Sequence, residues 1–289
     1  MKPGMQPETM APAEAKFKLS VVVCVRNEES RLRACLETVF QNHPDEVILV
    51  DGNSSDGTVA IARSFPGIQI IETRKSNLTR DRQIGIDAAK NEHIAMIDAD
   101  HRLLPDDLES LSRDMQEFGF DIVQSGLLSF ENHGFWDAAE EETWKMNQNI
   151  PGPRSMVGTA PAIFRKRVFN FARFSDEVTK TIDDTDFIYR LSKFPEIKFG
   201  IGRTNIRQYH FADFRTYVKK FQWYGKGDGE FCRKNPNRMP SMVYHLVIRY
   251  PFVYSFRALT KGYFRAAPFF VLQGAMRFTG LVRYFLKAI

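Results

Sequence analysis

Cysteine is scarce in this chain, and its three cysteines, Cys24, Cys35 and Cys232, are odd in number and far apart. Because no CxxC pair occurs, neither a disulfide framework nor a zinc site is indicated, and a reducing compartment is predicted. The chain also lacks a GxxxxGK[ST] loop, and "YGKGDG" (224–229) neither follows a strand nor fits GxGxxG, so an ATPase and a dinucleotide enzyme are unsupported. Residues 241–289 contain no charge-free run of 18 residues, which argues against a spanning helix there.

The sequence is rich in alternating β-type and amphipathic segments between residues 18 and 126. The runs KLSVVVCV, EVILV, IQIIE, HIAMI and DIVQSG have the Val and Ile content of buried strands. Between the first two runs, apolar residues from Leu32 to Phe40 recur at the spacing of one helix face. This alternation predicts right-handed βαβ units, and hence an α/β fold with a mostly parallel, doubly wound sheet.

Carboxylates follow two of these predicted strands. Asp51 comes directly after EVILV, and Asp98 and Asp100 come directly after HIAMI. Ligands of such sheets bind beyond the carboxyl ends of the strands, so we expect these side chains at the rim of a cleft. Hard oxygen ligands favour Mg²⁺ or Mn²⁺, which commonly bridge to the phosphates of a substrate, and a nucleoside diphosphate is the implied ligand. The alternative is that each aspartate caps a polar turn.

A second acidic cluster lies in "TKTIDDTDFIYRLSK" (179–193), where Asp183, Asp184 and Asp186 precede an apolar helical face. Carboxylates at a helix N-terminus are stabilised as anions, so one interpretation is a solvated helix cap. The other is catalytic, because crowded carboxylates repel one another and can raise one pKa towards that of a general base.

Four motifs together resemble the donor-binding half of a family 2 glycosyltransferase of the membrane-associated bacterial type. They are an Asn-Glu-Glu turn after the first strand, the turn "DGNSSDGT" (51–58), the helix "RQIGI" (82–86) and the DxD at 98–100. The resemblance covers roughly residues 18–126, with weaker similarity to about residue 230. It implies the GT-A fold, which is Rossmann-like, and a nucleoside-diphosphate sugar as donor.

The resemblance also implies roles for individual residues at the donor end of the site. Asp51 and Arg82 would line the nucleotide pocket, together with Glu28 of the Asn-Glu-Glu turn. Asp98 would lie near the ribose and the metal. Asp100 would coordinate the Mg²⁺ or Mn²⁺ that bridges the diphosphate.

At the acceptor end, the segment "DDTDF" resembles the Glu-Asp-x-Asp segment of the family. The resemblance implies that Asp184 is the catalytic base and that Asp183 takes the place of the glutamate. His210, in "QYH", would be a further metal or diphosphate ligand, or alternatively a hydrogen-bonded packing residue. The implied reaction is a single displacement with inversion at the anomeric carbon.

The expected organisation has four parts. Residues 1–17 form a flexible leader, 18–126 the nucleotide-sugar-binding half, 127–230 the half with the acceptor site and the base, and 231–289 a basic, amphipathic helical tail. The tail holds ten Lys or Arg and no Asp or Glu. Apolar burial and attraction to anionic lipid would together place residues 241–289 on a membrane surface, although packing on the catalytic domain or on a partner subunit is the alternative.

The sequence therefore predicts a metal-dependent, inverting glycosyltransferase, peripheral at the cytoplasmic face of the membrane. Its acceptor would be a glycan or a lipid-linked acceptor. Basic and aromatic residues interleave in the tail, but no nucleic-acid-binding motif accompanies them, so no nucleic acid is expected as a partner. Two rivals are a nucleotidyltransferase, which would release pyrophosphate, and a non-catalytic scaffold that binds a nucleotide or glycan without turnover.

Overall fold

The computed structural model describes residues 17–74, 77–130, 134–175, 182–209 and 213–287. In these ranges nine strands form one sheet: β1 (Leu19–Val25), β2 (Glu46–Asp51), β3 (Ile68–Glu72), β4 (His93–Met96), β5 (His101–Arg102), β6 (Ile122–Ser129), β7 (Gly152–Arg154), β8 (Ala162–Arg165) and β9 (Phe199–Gln208). The α-helices are α1 (Glu29–Gln41), α2 (Thr58–Arg63), α3 (Leu78–Ala88), α4 (Asp107–Glu117), α5 (Phe135–Thr143), α6 (Asp183–Leu191), α7 (Phe214–Lys234), α8 (Met239–Tyr244), α9 (Ser255–Thr260) and α10 (Ala266–Leu286).

The sheet is parallel in its first half and mixed in its second. Its strand order is β3-β2-β1-β4-β8-β6-β9-β5, and β7 pairs with β9. The pairs within β3-β2-β1-β4 are all parallel, as is β6 with β9, whereas β8 runs antiparallel to both β4 and β6. The predicted doubly wound α/β sheet is therefore present. Besides β8, the short strands β5 and β7 are also antiparallel to their neighbour, β9.

Both faces of the sheet are covered, which explains the continuous apolar runs of the central strands. Successive side chains of a strand point to opposite faces. Accordingly, Val21 and Val23 of β1 belong to one buried cluster, with α1 and α4, while Val22 belongs to another, with α3 and α6. The carboxyl ends of β1, β2 and β4 consequently share one edge, which places the turns after these strands side by side.

The helices after residue 213 form a layer of their own beside the sheet. Helix α7 contains the segment "YGKGDG" and packs against α10 with almost no separation: a Cβ on Gly225 would lie 1.9 Å from the carbonyl oxygen of Arg277. Asp228 of α7 accepts two hydrogen bonds from Arg277, at 2.8 and 2.6 Å. The absence of a side chain at Gly225 therefore allows α7 and α10 to pack closely. The domain boundary expected at residue 230 falls inside α7.

The tail is not one continuous helix. A π-helical segment (His245–Tyr254) leads into α9, which ends at Thr260, and Gly262 has a φ of +81° in the turn that follows. This turn separates Tyr263, which packs inward, from Phe252 and Phe256, which remain exposed. None of the described helices combines the length and the apolar character needed to cross a bilayer.

Candidate active site

The turns after β1 and β2 are tied together at the carboxyl edge of the sheet. Asn27 has a left-handed φ of 54°, and its carbonyl side-chain oxygen accepts a hydrogen bond from the Ser55 backbone N–H at 2.8 Å. The carboxylate of Asp51 accepts from Ser54, at 2.9 Å from the backbone N–H and 2.5 Å from the hydroxyl. Asp51 thus stabilises its own turn, as the capping interpretation expected, and it is buried at this edge.

The DxD motif occupies a tight turn between β4 and β5. Asp98, Asp100 and His101 each offer one ligand atom, and these atoms lie within 4.8 Å of one another. The Asp98 backbone N–H donates to Nδ1 of His101 at 3.0 Å. A neutral imidazole that accepts at Nδ1 carries its proton on Nε2, and Nε2 lies 3.7 Å from Oδ1 of Asp100. His101 therefore holds the backbone of the DxD turn at Asp98 and places its Nε2 near the carboxylate of Asp100.

Arg102 and Gln208 hold this turn from outside the motif. The buried guanidinium of Arg102 donates to the carbonyls of Ala99, at 2.9 Å, and Arg31, at 3.0 Å. Gln208, at the end of β9, donates to Oδ2 of Asp100 at 3.1 Å. The DxD turn is thus fixed to the start of α1 on one side and to β9 on the other.

Arg82 links the DxD turn to the second acidic cluster. It lies on α3 with its guanidinium buried, contacts the carboxylate of Asp183, donates to the hydroxyl of Thr159 at 3.1 Å, and has Nη2 3.5 Å from Oδ1 of Asp98. The carboxylates around Arg82 raise its pKa further, against the effect of burial, so it is cationic at any ordinary pH. Arg82 therefore brings the metal-type carboxylates and the start of α6 into one site.

The three aspartates at the start of α6 have different surroundings. Burial raises the pKa of Asp183 to about 6; the Arg82 charge opposes this shift, and the charges of Asp184 and Asp98 add to it. Asp186 faces away, where it accepts from Arg190 at 2.8 Å. Asp184 is only partly buried and lies on the wall of a large cavity. Of the three, Asp184 is the carboxylate open to an incoming molecule.

The residues at the DxD turn suit a divalent cation. Oδ1 of Asp100 is buried and, within the described part of the chain, has no hydrogen-bond partner. A buried anionic oxygen without a donor is costly unless a ligand completes it. With Asp98 partly exposed beside it, the donor set consists of hard carboxylate oxygens, which fit Mg²⁺ or Mn²⁺.

The structure brings most of the predicted residues together. Asp98, Asp100, Arg82 and Asp183 form one connected group, with Asp184 adjoining it. Burial raises the pKa of Glu28, and the negative charges of Asp100 and Asp98 add to the increase. His210 lies outside the described residues.

Sequence reasoning missed several residues at the site. His101, Arg102 and Gln208 support the DxD turn, and Glu140 of α5 shares the cavity wall with Asp184. The buried hydroxyl of Tyr217 donates to Glu140 at 2.8 Å. The only available signal was the polar pair His101-Arg102 directly after the DxD, because Gln208, Glu140 and Tyr217 are distant along the chain.

Residues 20–193 match the family model described as Glycosyl transferase family 2. An uncharacterized glycosyltransferase of Rickettsia bellii is 27% identical over 200 residues, which are 66% of this chain and 62% of that protein. The dodecaprenyl-phosphate galacturonate synthase of Rhizobium johnstonii is 32% identical over 118 residues, 37% of this chain and 35% of that protein. The chain thus spans less than two thirds of the length of these relatives.

Two solved structures share the fold. The mannosyltransferase PcManGT of Pyrobaculum calidifontis, in complex with GDP-Man and Mn²⁺, superposes with a TM-score of 0.67 at 15% identity, over 98% of this chain and 91% of that chain. S. aureus TarS 1–349, in complex with UDP-GlcNAc, gives a TM-score of 0.54 at 14% identity, over 72% and 66% of the two chains. These likenesses confirm the predicted GT-A fold.

Proposed function

The chain belongs to glycosyl transferase family 2, and from this premise we propose that it is a metal-dependent, inverting glycosyltransferase that uses a nucleoside-diphosphate sugar. The observation that carries the proposal is the Arg82 bridge. Arg82 joins a pair of hard carboxylates, suited to a diphosphate-bound cation, to the helix start that presents Asp184 to a cavity. This arrangement supports a donor site and an acceptor site next to each other.

The donor end is formed by Asp98, Asp100 and Arg82. Asp98 and Asp100 would hold Mg²⁺ or Mn²⁺, which when bound supplies positive charge that stabilises a diphosphate leaving group. PcManGT, which shares the fold, is in complex with Mn²⁺ and a nucleoside-diphosphate sugar, and this supports the choice of cofactor. Asp51, Glu28 and His210 remain predicted donor-site residues on the family resemblance.

At the acceptor end, Asp184 is the general base. Its carboxylate takes the proton from an acceptor hydroxyl as the hydroxyl oxygen forms a bond to the anomeric carbon of the donor sugar. The bond from that carbon to the diphosphate oxygen breaks in the same step, and the nucleoside diphosphate leaves with the electron pair. Attack from the face opposite the leaving group inverts the anomeric configuration. Asp183, held by Arg82, keeps Asp184 at the helix start next to the donor.

The test is release of nucleoside diphosphate by the purified full-length chain with Mg²⁺ or Mn²⁺. UDP-, GDP- and dTDP-sugars would serve as donors, and a lipid extract and free glycans as acceptors. Wild type should turn over one donor in a metal-dependent way, with an inverted anomer in the product. Asp184→Asn should lose roughly 10²–10⁴-fold in turnover and keep donor affinity. Pyrophosphate release would instead favour a nucleotidyltransferase, and donor binding without turnover a scaffold.

We further propose that the outer face of the C-terminal helices lies on an anionic membrane, at the cytoplasmic side, where a lipid-linked glycan would be within reach. Phe252, Phe256 and Phe264 are 65, 70 and 68% exposed, an arrangement that leaves large apolar area in water. Arg257 and Lys261 are exposed near them, and residues 231–289 carry no acidic side chain. Aromatic insertion and attraction to anionic lipid would act together here.

Vesicle co-sedimentation tests this membrane proposal. Vesicles of phosphatidylcholine with phosphatidylglycerol should retain the wild-type protein, and pure phosphatidylcholine should retain less. Phe252→Ser together with Phe256→Ser should reduce binding to the anionic vesicles at least tenfold, because two apolar side chains, each worth roughly 1.5–3 kcal/mol on burial, are lost. Phe118→Ser, an exposed phenylalanine outside the tail, is the matched control. Equal loss in the control would count against the proposal.

A further inference from the structure

A cavity of about 700 Å³ adjoins the start of α6, and Asp184 and Thr185 lie on its wall. The remaining wall comes from α5 and the turn after it, from the segment 154–160, from β9, and from the helices after residue 213. Such a volume is in the usual range for a small-molecule binding site. Because Asp184 is the proposed base, this cavity is where the acceptor would have to enter.

Aromatic rings form much of the wall, and the C-terminal helices supply most of them. The lining rings include Trp144, Tyr224, Tyr250, Tyr254, Phe269 and Phe270. Tyr254 packs against Tyr250 at 5.6 Å and against Phe270 at 5.3 Å between ring centroids. The two tyrosines are only partly buried against this cluster, so their rings are held from behind while they border the cavity. The aromatic wall is therefore rigid and accessible.

The charge of the cavity is unsuited to an anionic molecule. Its described lining residues include two carboxylates, Asp184 and Glu140, and one cation, Arg154. The guanidinium of Arg154 donates to backbone carbonyls of its own loop, those of Pro153, at 2.9 Å, and Ile150. A phosphate bound here would face negative charge with little compensation.

The other polar groups of the wall are mostly amides: Gln124, Asn147, Gln148, Gln208 and Gln273. An amide offers both a donor and an acceptor, and a carboxylate offers acceptors, so together they match the hydroxyl groups of a sugar. Aromatic rings contribute flat apolar area at little entropic cost, which matches the C–H face of a sugar ring.

We propose that this cavity binds the acceptor as an uncharged saccharide, with its ring against Tyr254 and its reactive hydroxyl at Asp184. The inference rests on the proposed function and narrows it: the acceptor group is a sugar hydroxyl and not a lipid phosphate. The aromatic wall lies mostly beyond residues 20–193, the part that matches the family model, so acceptor choice is set by the C-terminal helices.

Binding of the full-length chain to an array of neutral and anionic oligosaccharides tests this inference without requiring a donor. Wild type should bind at least one neutral glycan, and inorganic phosphate should not compete. Tyr254→Ala should weaken that binding at least tenfold, while Tyr254→Phe should retain it because the ring remains. Tyr244→Ala is the matched control, since Tyr244 ends α8, directly before the π-helical segment that holds Tyr254, but is 50% exposed and does not line the cavity. Gln273→Ala, which removes a polar wall group and no packing ring, should also weaken binding.

Several results would overturn the inference. The first is that no glycan binds, or that only anionic glycans bind. The second is that Tyr254→Ala and Tyr244→Ala weaken glycan binding equally while Gln273→Ala has no effect on it. The third is transfer of the donor sugar onto polyprenyl phosphate in detergent. The proposed function has a separate readout, which is metal-dependent donor turnover. A wild type that binds neutral glycans but neither binds nor turns over any nucleotide sugar would refute the transferase and leave the saccharide site standing.

Discussion

Two arginine–aspartate pairs with buried carboxylates, one in the sheet region and one in the helical layer, differ in how completely their polar atoms are satisfied. Arg277 and Asp228, between α7 and α10, make two matched hydrogen bonds to each other. The guanidinium of Arg82 contacts Asp183, Asp98 and Thr159, and its buried Nε has no partner within the described part of the chain. Buried polar atoms are nearly always satisfied in folded proteins. The first pair therefore has the character of a structural pair, and the second keeps an unsatisfied polar atom that the proposed ligand would complete.

The same contrast extends to the surroundings of each pair. Near Arg82 of α3, the carboxylate of Asp100 also has a buried oxygen without a partner among the described residues, and Asp100 lies in the turn between β4 and β5. Around Arg277, close contact at Gly225 and Gly280 leaves no space for a ligand. The polar groups that could bind a ligand thus lie at the sheet edge. The helices after residue 213 instead supply an aromatic cavity wall on one side and exposed phenylalanines on the other.

The largest expected effect comes from removing the incompletely satisfied carboxylate. Asp100→Asn should lower the affinity for Mn²⁺ at least 100-fold, because even loss of a group that merely orients a ligand costs roughly 10–100-fold. Binding of Mn²⁺ in the presence of a nucleoside diphosphate, followed by electron paramagnetic resonance, measures this directly. Glu109→Gln, an exposed carboxylate of α4 paired with Arg113, is the control and should bind Mn²⁺ like wild type. Unchanged affinity in Asp100→Asn would remove the metal from the proposal.

The second prediction replaces the Arg277–Asp228 pair by apolar residues and compares the result with replacement of Arg82. Arg277→Met with Asp228→Leu should leave the free energy of unfolding nearly unchanged or higher, because a buried ion pair costs much desolvation energy. Arg277→Met alone should destabilise by roughly 3–5 kcal/mol, since it strands a buried carboxylate. Both variants should bind the donor normally at temperatures where they are folded.

Arg82→Met, by contrast, should weaken donor binding roughly tenfold or more, because a hydrogen bond to a charged group contributes about that much free energy. Its loss of stability should be smaller than that of Arg277→Met. Chemical denaturation and calorimetric titration with the nucleotide sugar give the two quantities. The comparison between the pairs fails if the double replacement at α7 and α10 impairs donor binding as much as Arg82→Met does.

The sequence predicted the first half of the sheet well, because each βα segment there has its own periodicity and its own turn. The strand β8 and the attachment of β9 were not predictable in the same way, since their partners are remote: Gln208 reaches Asp100 across 108 positions. The role of the segment "YGKGDG", which is close packing of α7 on α10, could not be predicted from the sequence. A glycine needed for close helix packing has the same appearance in a sequence as any other glycine. The turn at Gly262, whose left-handed φ interrupts the helical tail, had no signal in the sequence either, because that glycine resembles any other.

The smallest effect expected is the pH dependence of the site pair. Burial raises the pKa of Asp183 to about 6, against the opposing charge of Arg82. Above this pH the carboxylate is charged and holds Arg82; as the pH falls through it, the carboxylate gains a proton and the pair loses its charge attraction. The dissociation constant of the donor should therefore rise by about tenfold from pH 7 to pH 5, following one protonation.

Asp183→Asn, which is neutral at every pH, should bind the donor weakly throughout and lose this inflection. Asp186→Asn, one turn away and paired with Arg190 instead, should keep it. If Asp183→Asn retained the inflection, another group would control Arg82, and the contrast between a satisfied structural pair and a ligand-completed site pair would lose its electrostatic basis.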